Sequence, residues 1–311
     1  MKNFLGMRKL LALTLVFGIT LTQSLYAQYY YTNNKYYESA VVFEIGVTGG
    51  IMNSFTDLGG KAGIGKDFIK DLRWKPARLS YGAYISATYK DVVTGRIEGT
   101  FGSVAGYDSI LKNVASTTMD RYMRNLSFRS KIAEVQLAVE VHPLFFKSYD
   151  EEPPRLSPYF VAGAGYFSFN PEAQLNGQWY FLAPLRLEGQ GFNEYPDRKP
   201  YKLSQVNLLG GLGLRYEINT MFNARLEIIH RKLFTDYLDD VSTSYIDPAL
   251  FYNYLPPVQA AIAQQLHFRR NEINPSDVQP AFGEQRDDPE DKDAYFTIHA
   301  KIGVMLGRKR R

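Results

Sequence analysis

Cysteine is absent from this chain of 311 residues. That excludes a disulfide framework, a thiol nucleophile, cysteine-ligated metal and a lipidated N-terminal cysteine. Catalytic signatures are missing too. The four histidines, His142, His230, His267 and His299, belong to no HExxH motif, and there is no GxSxG, Walker loop or complete dinucleotide fingerprint. Net charge is only +4, with no basic helix or basic–aromatic stripe, which argues against nucleic-acid binding. The longest apolar run, Leu10–Leu21, is too short to cross a bilayer comfortably as a helix.

That run fits a signal peptide instead. Lys2, Arg8 and Lys9 precede it, and Leu25-Tyr26-Ala27 offers a small residue at a cleavage point before Gln28. Residues 1–27 are therefore expected to direct export and residues 28–311 to form the mature chain. Aromatic residues are plentiful, with 23 Tyr and 20 Phe. Aromatic girdles at two membrane interfaces would use them, as would a Tyr-rich soluble β-protein.

Eight segments alternate apolar with polar or small residues, the period of a strand with two different faces. They are Val41–Met52, Ala77–Tyr89, Thr94–Tyr107, Lys131–Leu144, Ser157–Phe169, Leu203–Ile218, Phe222–Phe234 and Tyr295–Leu306. In the fourth, Ala133, Val135, Leu137, Val139 and Val141 oppose Glu134, Gln136, Glu140 and His142. Each segment is long enough to cross a bilayer at a tilt.

The connections alternate as well. Lys90–Val93, Phe145–Leu156 and Asn219–Met221 are short; Asn53–Pro76, Asp108–Ser130, Asn170–Lys202 and Thr235–Ala294 are long. Short turns on one side and long loops on the other is the rhythm of an outer-membrane barrel. The expected fold is all-β, an eight-stranded antiparallel transmembrane β-barrel. Both termini and the short turns are expected in the periplasm, and the long loops outside. A lipocalin-like soluble barrel shares the strand count but would turn its aliphatic face inward.

The polar faces then line the lumen. Glu44, Arg96, Glu98, Glu134, Glu140, Arg215, Glu217, Arg225, Glu227, Arg231, His299 and Lys301 fall there. Eight strands enclose a bore that side chains fill, so opposite charges should pair, with Arg225 and Arg231 finding carboxylates such as Glu227, Glu134 or Glu98. A plugged scaffold is one reading of this lining and a proton or ion path the other.

In the loops, Asp236, Asp239 and Asp240 form a short acidic cluster, suited to a turn or cap role or to a hard cation such as calcium. Pro256–Arg270 reads as a short helix with Val258, Ile262 and Leu266 on one face, and Glu284–Asp293 as a charged, mobile end of the loop. The tail Arg308-Lys309-Arg310-Arg311 is basic, fit for anionic lipid or for a periplasmic partner.

Several loop stretches carry a resemblance. They are Phe169-Asn170-Pro171, Asn176-Gly177-Gln178-Trp179-Tyr180, Leu182-Ala183-Pro184-Leu185, Glu188-Gly189-Gln190-Gly191, Tyr201-Lys202-Leu203-Ser204-Gln205 and, above all, Phe234-Thr235-Asp236-Tyr237-Leu238-Asp239-Asp240-Val241-Ser242. Together they resemble the PorG-type outer-membrane barrels of the type IX secretion system. The resemblance implies a non-enzymatic anchor for a periplasmic ring of PorK- and PorN-like subunits, with no cofactor and no catalytic residues. The expected contact residues are Asp150, Glu151 and Glu152 with Arg308, Lys309, Arg310 and Arg311. Other readings are a generic small barrel for envelope stability or small-solute passage, and a hydrolase or acyltransferase at the lip.

Overall fold

The computed structural model describes residues 40–56, 58, 75–112, 118–147, 153–277, 283–286 and 292–306. The expected signal peptide, Asp150–Glu152 and the Arg308–Arg311 tail lie outside these residues.

Eight strands close into a barrel: β1 (Val41–Phe55), β2 (Arg78–Tyr89), β3 (Val93–Tyr107), β4 (Ser127–Val141), β5 (Leu156–Ser168), β8 (Ser204–Glu217), β9 (Phe222–Leu233) and β10 (Ala294–Leu306). Neighbours pair antiparallel all the way round, with β1 against β10 and β3 against β4 completing the circuit. The lipocalin-like alternative fails on facing. Phe43, Ile45, Val47, Val135, Leu137, Val139, Leu212 and Ile228 are all more than half exposed. Glu44, Glu134, Gln136 and Glu140, one position out of phase, are buried. The aliphatic face is thus the outer one, as a bilayer requires, and the protein is an outer-membrane-type transmembrane barrel. Register is tightly held, because a slip of one residue would turn every buried charge toward lipid. A single cation at the bilayer midplane costs about 2–4 kcal/mol.

One strand departs most from the sequence expectation. β4 starts at Ser127, not Lys131, and ends at Val141, where Pro143 opens a short 3-10 turn over Pro143–Phe146. His142 is buried just beyond the strand. The early start gives β4 a free upper edge. Beyond Ala133, which pairs with Ser168 of β5, the strand pairs instead with a hairpin within the Asn170–Lys202 loop. That hairpin is β6 (Pro171–Leu175) and β7 (Gln178–Phe181). Asn176 and Gly177 form its turn, both at positive φ, and Asn-Gly is the pair favoured for a two-residue hairpin turn.

The other described long-loop segments pack over the barrel mouth. They include α1 (Met119–Arg124), α2 (Phe251–Tyr254) and α3 (Pro257–His267). α3 falls where a helix was expected, but its buried face is Ala260, Ala263, Leu266 and His267, while Val258 is 74% exposed. Small alanines let the helix lie close to the hairpin and to Leu182, Leu185 and Leu187. A second apolar cluster plugs the bore itself. Met52, Val104, Phe128, Phe167, Leu233 and Tyr295 from the strands meet Leu58, Leu238 and Val241 from the loops.

Candidate functional site

Two polar systems dominate the molecule, one below the apolar plug and one above it.

The lower system fills the lumen. Arg225 lies between Glu44 (2.6 Å) and Glu140 (2.7 Å). Arg96 reaches Glu140 at 2.5 Å, Glu227 at 2.7 Å and Glu98 at 3.1 Å. Lys301 bridges Glu98 and Glu227, 2.6 Å from each. Arg231 pairs with Glu134 at 2.7 Å and donates to Gln136, which in turn donates to Glu98. All these side chains are buried. Arg231 thus meets an expected partner, whereas Arg225 meets Glu44 and Glu140 instead of the three carboxylates first considered. Arg215 stands apart at the short-turn end, paired with Asp91 at 3.0 Å.

Within this network four cations face five carboxylates, and neutral donors absorb the excess. Tyr84 donates to Glu44, as does Asn223 at 2.7 Å. Tyr159 donates to Glu227 at 2.9 Å. Asn207 and Tyr295 donate to Glu134 at 2.8 and 3.0 Å. Room for the rings comes from facing glycines: a Cβ on Gly46 would strike Tyr84, and one on Gly213 would strike Tyr159. Ser80 and His299 meet at 2.7 Å in this interior, buried beneath the plug.

The upper system holds the cap. Glu188 accepts hydrogen bonds from the Ser242 and Thr243 amides (3.0 Å each), the Thr243 hydroxyl (2.8 Å) and Arg286 (3.0 Å). Arg286 also donates to the Asp240 carbonyl at 3.0 Å. The Tyr201 hydroxyl donates to Asp240 Oδ1 at 2.6 Å, and the Tyr201 ring stacks on Tyr237, centroids 4.7 Å apart. The Thr235–Asp240 run is the hub. The Thr235 hydroxyl accepts from the Tyr237 amide, Asp239 accepts from the Val241 amide, and Leu238 enters the apolar plug while its amide donates to Asp293. Asp236 is buried beside them. Asp240 adopts a left-handed φ of 67°, a conformation that Asp tolerates better than most residues. Among the described residues no three His, Asp or Glu side chains converge as a metal site.

Burial sets two titrations in this cap. The Asp240 carboxyl is pushed up to about 7 by desolvation and, secondarily, by Glu188, against the opposing pull of Arg286 and Tyr201. The His267 imidazole is lowered to about 3 by burial and by Arg286, so it is neutral and fixed by its Nδ1 contact with the Leu187 carbonyl at 2.8 Å.

Glu188, Tyr201 and Arg286 had no assigned role from sequence. Gly189 and Gly191, both at positive φ, mark the tight turn that presents Glu188. Arg286 lies in a charged stretch where no sequence signal separates it from its neighbours.

No family model matches this chain, and no curated protein matches it. Among solved structures, similar chains are the N-terminal β-barrel domain of Pseudomonas aeruginosa OprF (9% identity, TM-score 0.33, covering 86% of this chain and 98% of that one). Another is Neisserial surface protein A (8%, TM-score 0.36, 86% and 97%). A third is Ail, the attachment invasion locus protein of Yersinia pestis (11%, TM-score 0.33, 86% and 97%). The chain's own strand closure and outward apolar face establish its fold.

Two predictions follow from the two systems. Arg225→Leu leaves Glu44 and Glu140 each short of a buried partner and should destabilise the barrel by about 3–5 kcal/mol. The shift from folded to unfolded mobility on gels, followed against temperature, measures this; an unchanged midpoint contradicts a paired core. For Asp240, a carboxyl whose folded value lies above its unfolded value of 3.8, the folded state holds its proton longer. Stability is therefore fullest below about 4 and is lost as pH rises toward 7, by at most about 4 kcal/mol. Asp240→Asn should flatten the difference in unfolding midpoint between pH 5 and pH 8 relative to the parent chain.

Proposed function

We propose that this barrel is a non-enzymatic outer-membrane component of the type IX secretion system, anchoring a periplasmic ring of PorK- and PorN-like subunits. The observation that carries the reading is a bore filled by a mutually coordinated charge network and closed by an apolar plug. Such an interior suits a rigid anchor better than a solute path. The loop resemblance supplies the system. Its strongest run, Thr235–Asp240, ties the cap together, which fits a role in stability at the end away from the ring.

In this reading the short turns face the periplasm. Asp150, Glu151, Glu152 and the Arg308–Arg311 tail are the proposed contacts with the ring, and the Pro143–Phe146 turn at that end carries a 68% exposed Phe146. Charge of both signs would set orientation and encounter rate more than affinity.

Orientation is tested by single cysteines introduced into this cysteine-free chain. Gln264 should label on intact cells and Val92 should not; the reverse inverts the topology. The function is tested by purification from native membranes through a tag in the long-loop region. Ring subunits should be recovered, and replacing Arg308, Lys309, Arg310 and Arg311 with Ser should lower recovery several-fold without changing the unfolding midpoint. Deletion should block cargo export while leaving envelope permeability intact. Intact export in the deletion strain refutes the assignment.

A further inference from the structure

Sign and position of charge on the outer face are strongly uneven. At the outward-facing positions of the eight barrel strands the charged side chains are Arg129, Lys131 and Lys232. All three are basic, and all stand toward the long-loop end, above mid-strand residues that are aliphatic or small. A cation is expensive at the midplane but inexpensive at the interface. The asymmetry therefore points to what the interface at that end contains.

Two of the three lie together. Arg129 and Lys131 are two residues apart on β4, on one face. Lys131 is exposed and lies opposite Ser103; the Arg129 side chain is 39% exposed. The β6–β7 hairpin extends this face sideways. Its pairing places Glu172, Gln174, Trp179 and Phe181 on the same side as Arg129. Trp179 lies flat against the Arg129 guanidinium, 3.4 Å from ring centroid to Cζ. Glu172 accepts from Arg129 Nε at 2.9 Å and is itself almost wholly covered. That contact fixes the guanidinium's orientation while using one edge only. Phe181 is 53% exposed, and Tyr81 and Phe101 form an aromatic pair on the adjacent strands, one step nearer the bilayer centre than Lys131.

Aromatic rings at the interface, with two cations immediately above them, match an acyl chain below and an anionic headgroup above. Arginine held in a plane by a stacked ring and a carboxylate is suited to phosphate, which it can bind through two nitrogens. We propose that Arg129, Lys131 and Trp179 form a seat for the phosphate of a glycolipid in the outer leaflet. Commitment to that leaflet rests on the orientation given under Proposed function; the seat's chemistry does not. Lys232 also stands above rings, Phe55, His230 and Phe296, but among the described residues no stacked ring or carboxylate orients it, and it is the internal control for the held Arg129.

The full mature chain, folded into phosphatidylcholine vesicles, tests this with lipid A as the probe. Trp179 emission is followed in a Trp74→Phe background while lipid A is raised as a fraction of total lipid. Saturable change is expected with phosphorylated lipid A and not with the dephosphorylated form. Arg129→Gln with Lys131→Gln should raise the half-saturating fraction about tenfold, and Arg129→Lys with Lys131→Arg should recover most of it. Lys232→Gln should change nothing. Unfolding midpoints in phosphatidylcholine alone report folding, and Lys131→Gln, which removes an exposed side chain, keeps the test open should the double variant misfold. Equal response to dephosphorylated lipid A, full binding by the double variant, equal loss with Lys232→Gln, or displacement by 10 mM inorganic phosphate would each overturn the lipid-phosphate seat. Because the assay contains no secretion component, its outcome is separate from that of the ring-recovery experiment.

Discussion

An outer face given to aliphatic side chains leaves the polar half of every strand one place to go. The bore must take it, and the charges there have no bulk water to lean on. Isolated, each would cost several kcal/mol to desolvate. The fold resolves this by mutual coordination: Glu140 is shared by Arg96 and Arg225, and Glu98 and Glu227 are shared by Arg96 and Lys301. Arg96, Arg225 and Lys301 each meet two or more carboxylates, while Arg231 pairs with Glu134. The network therefore ties β1, β3, β4, β9 and β10 across the bore, in addition to the backbone ladders that join neighbours. Aromatic side chains share the task. The Arg225 guanidinium lies 5.6 Å from the Tyr84 ring centroid and 5.8 Å from that of Tyr159.

The cap repeats the solution with different parts. Glu188 takes two amides, a hydroxyl and a guanidinium, so one carboxylate organises a loop of irregular backbone that has no ladder to satisfy it. Arg124 does the reverse, donating to both oxygens of Asp108 and to the Arg286 carbonyl. Loops that would otherwise be tethered only at their ends are thereby bound to one another and to the strands beneath.

The barrel was legible because a strand with two unlike faces writes a period of two. Residues such as Val135, Leu137 and Val139 announce their side of the sheet whatever they touch. Partners were less legible. Whether Arg225 meets Glu227 or Glu140 depends on which strands oppose each other across the bore, and that follows from closure and tilt, not from local sequence. The start of β4 at Ser127 is hidden in the sequence, because Arg129 and Lys131 break the apolar pattern on the outward face where the strand has reached the interface. The hairpin was written in Asn176-Gly177, whose positive φ values make the turn, but the pair sat within a stretch valued only for its resemblance. Glu188 and Arg286 are 98 residues apart, and nothing local foretells such a pairing.

The apolar plug between the two systems has a consequence for coupling. Met52, Phe128, Phe167, Leu238 and Val241 fill the space between the lumen network and the cap, and none of them carries charge. Tyr295 is the one polar group of that layer that reaches down, to Glu134 and Asn207. Titration of Asp240 at the cap is thus felt chiefly through its own neighbours, Arg286, Tyr201 and Glu188. A change in pH at the capped end would loosen or tighten the loops over the mouth while leaving the charge-filled bore as it was. For a barrel whose two ends face different compartments, that separation lets the capped end respond to its surroundings without disturbing the charge network beneath.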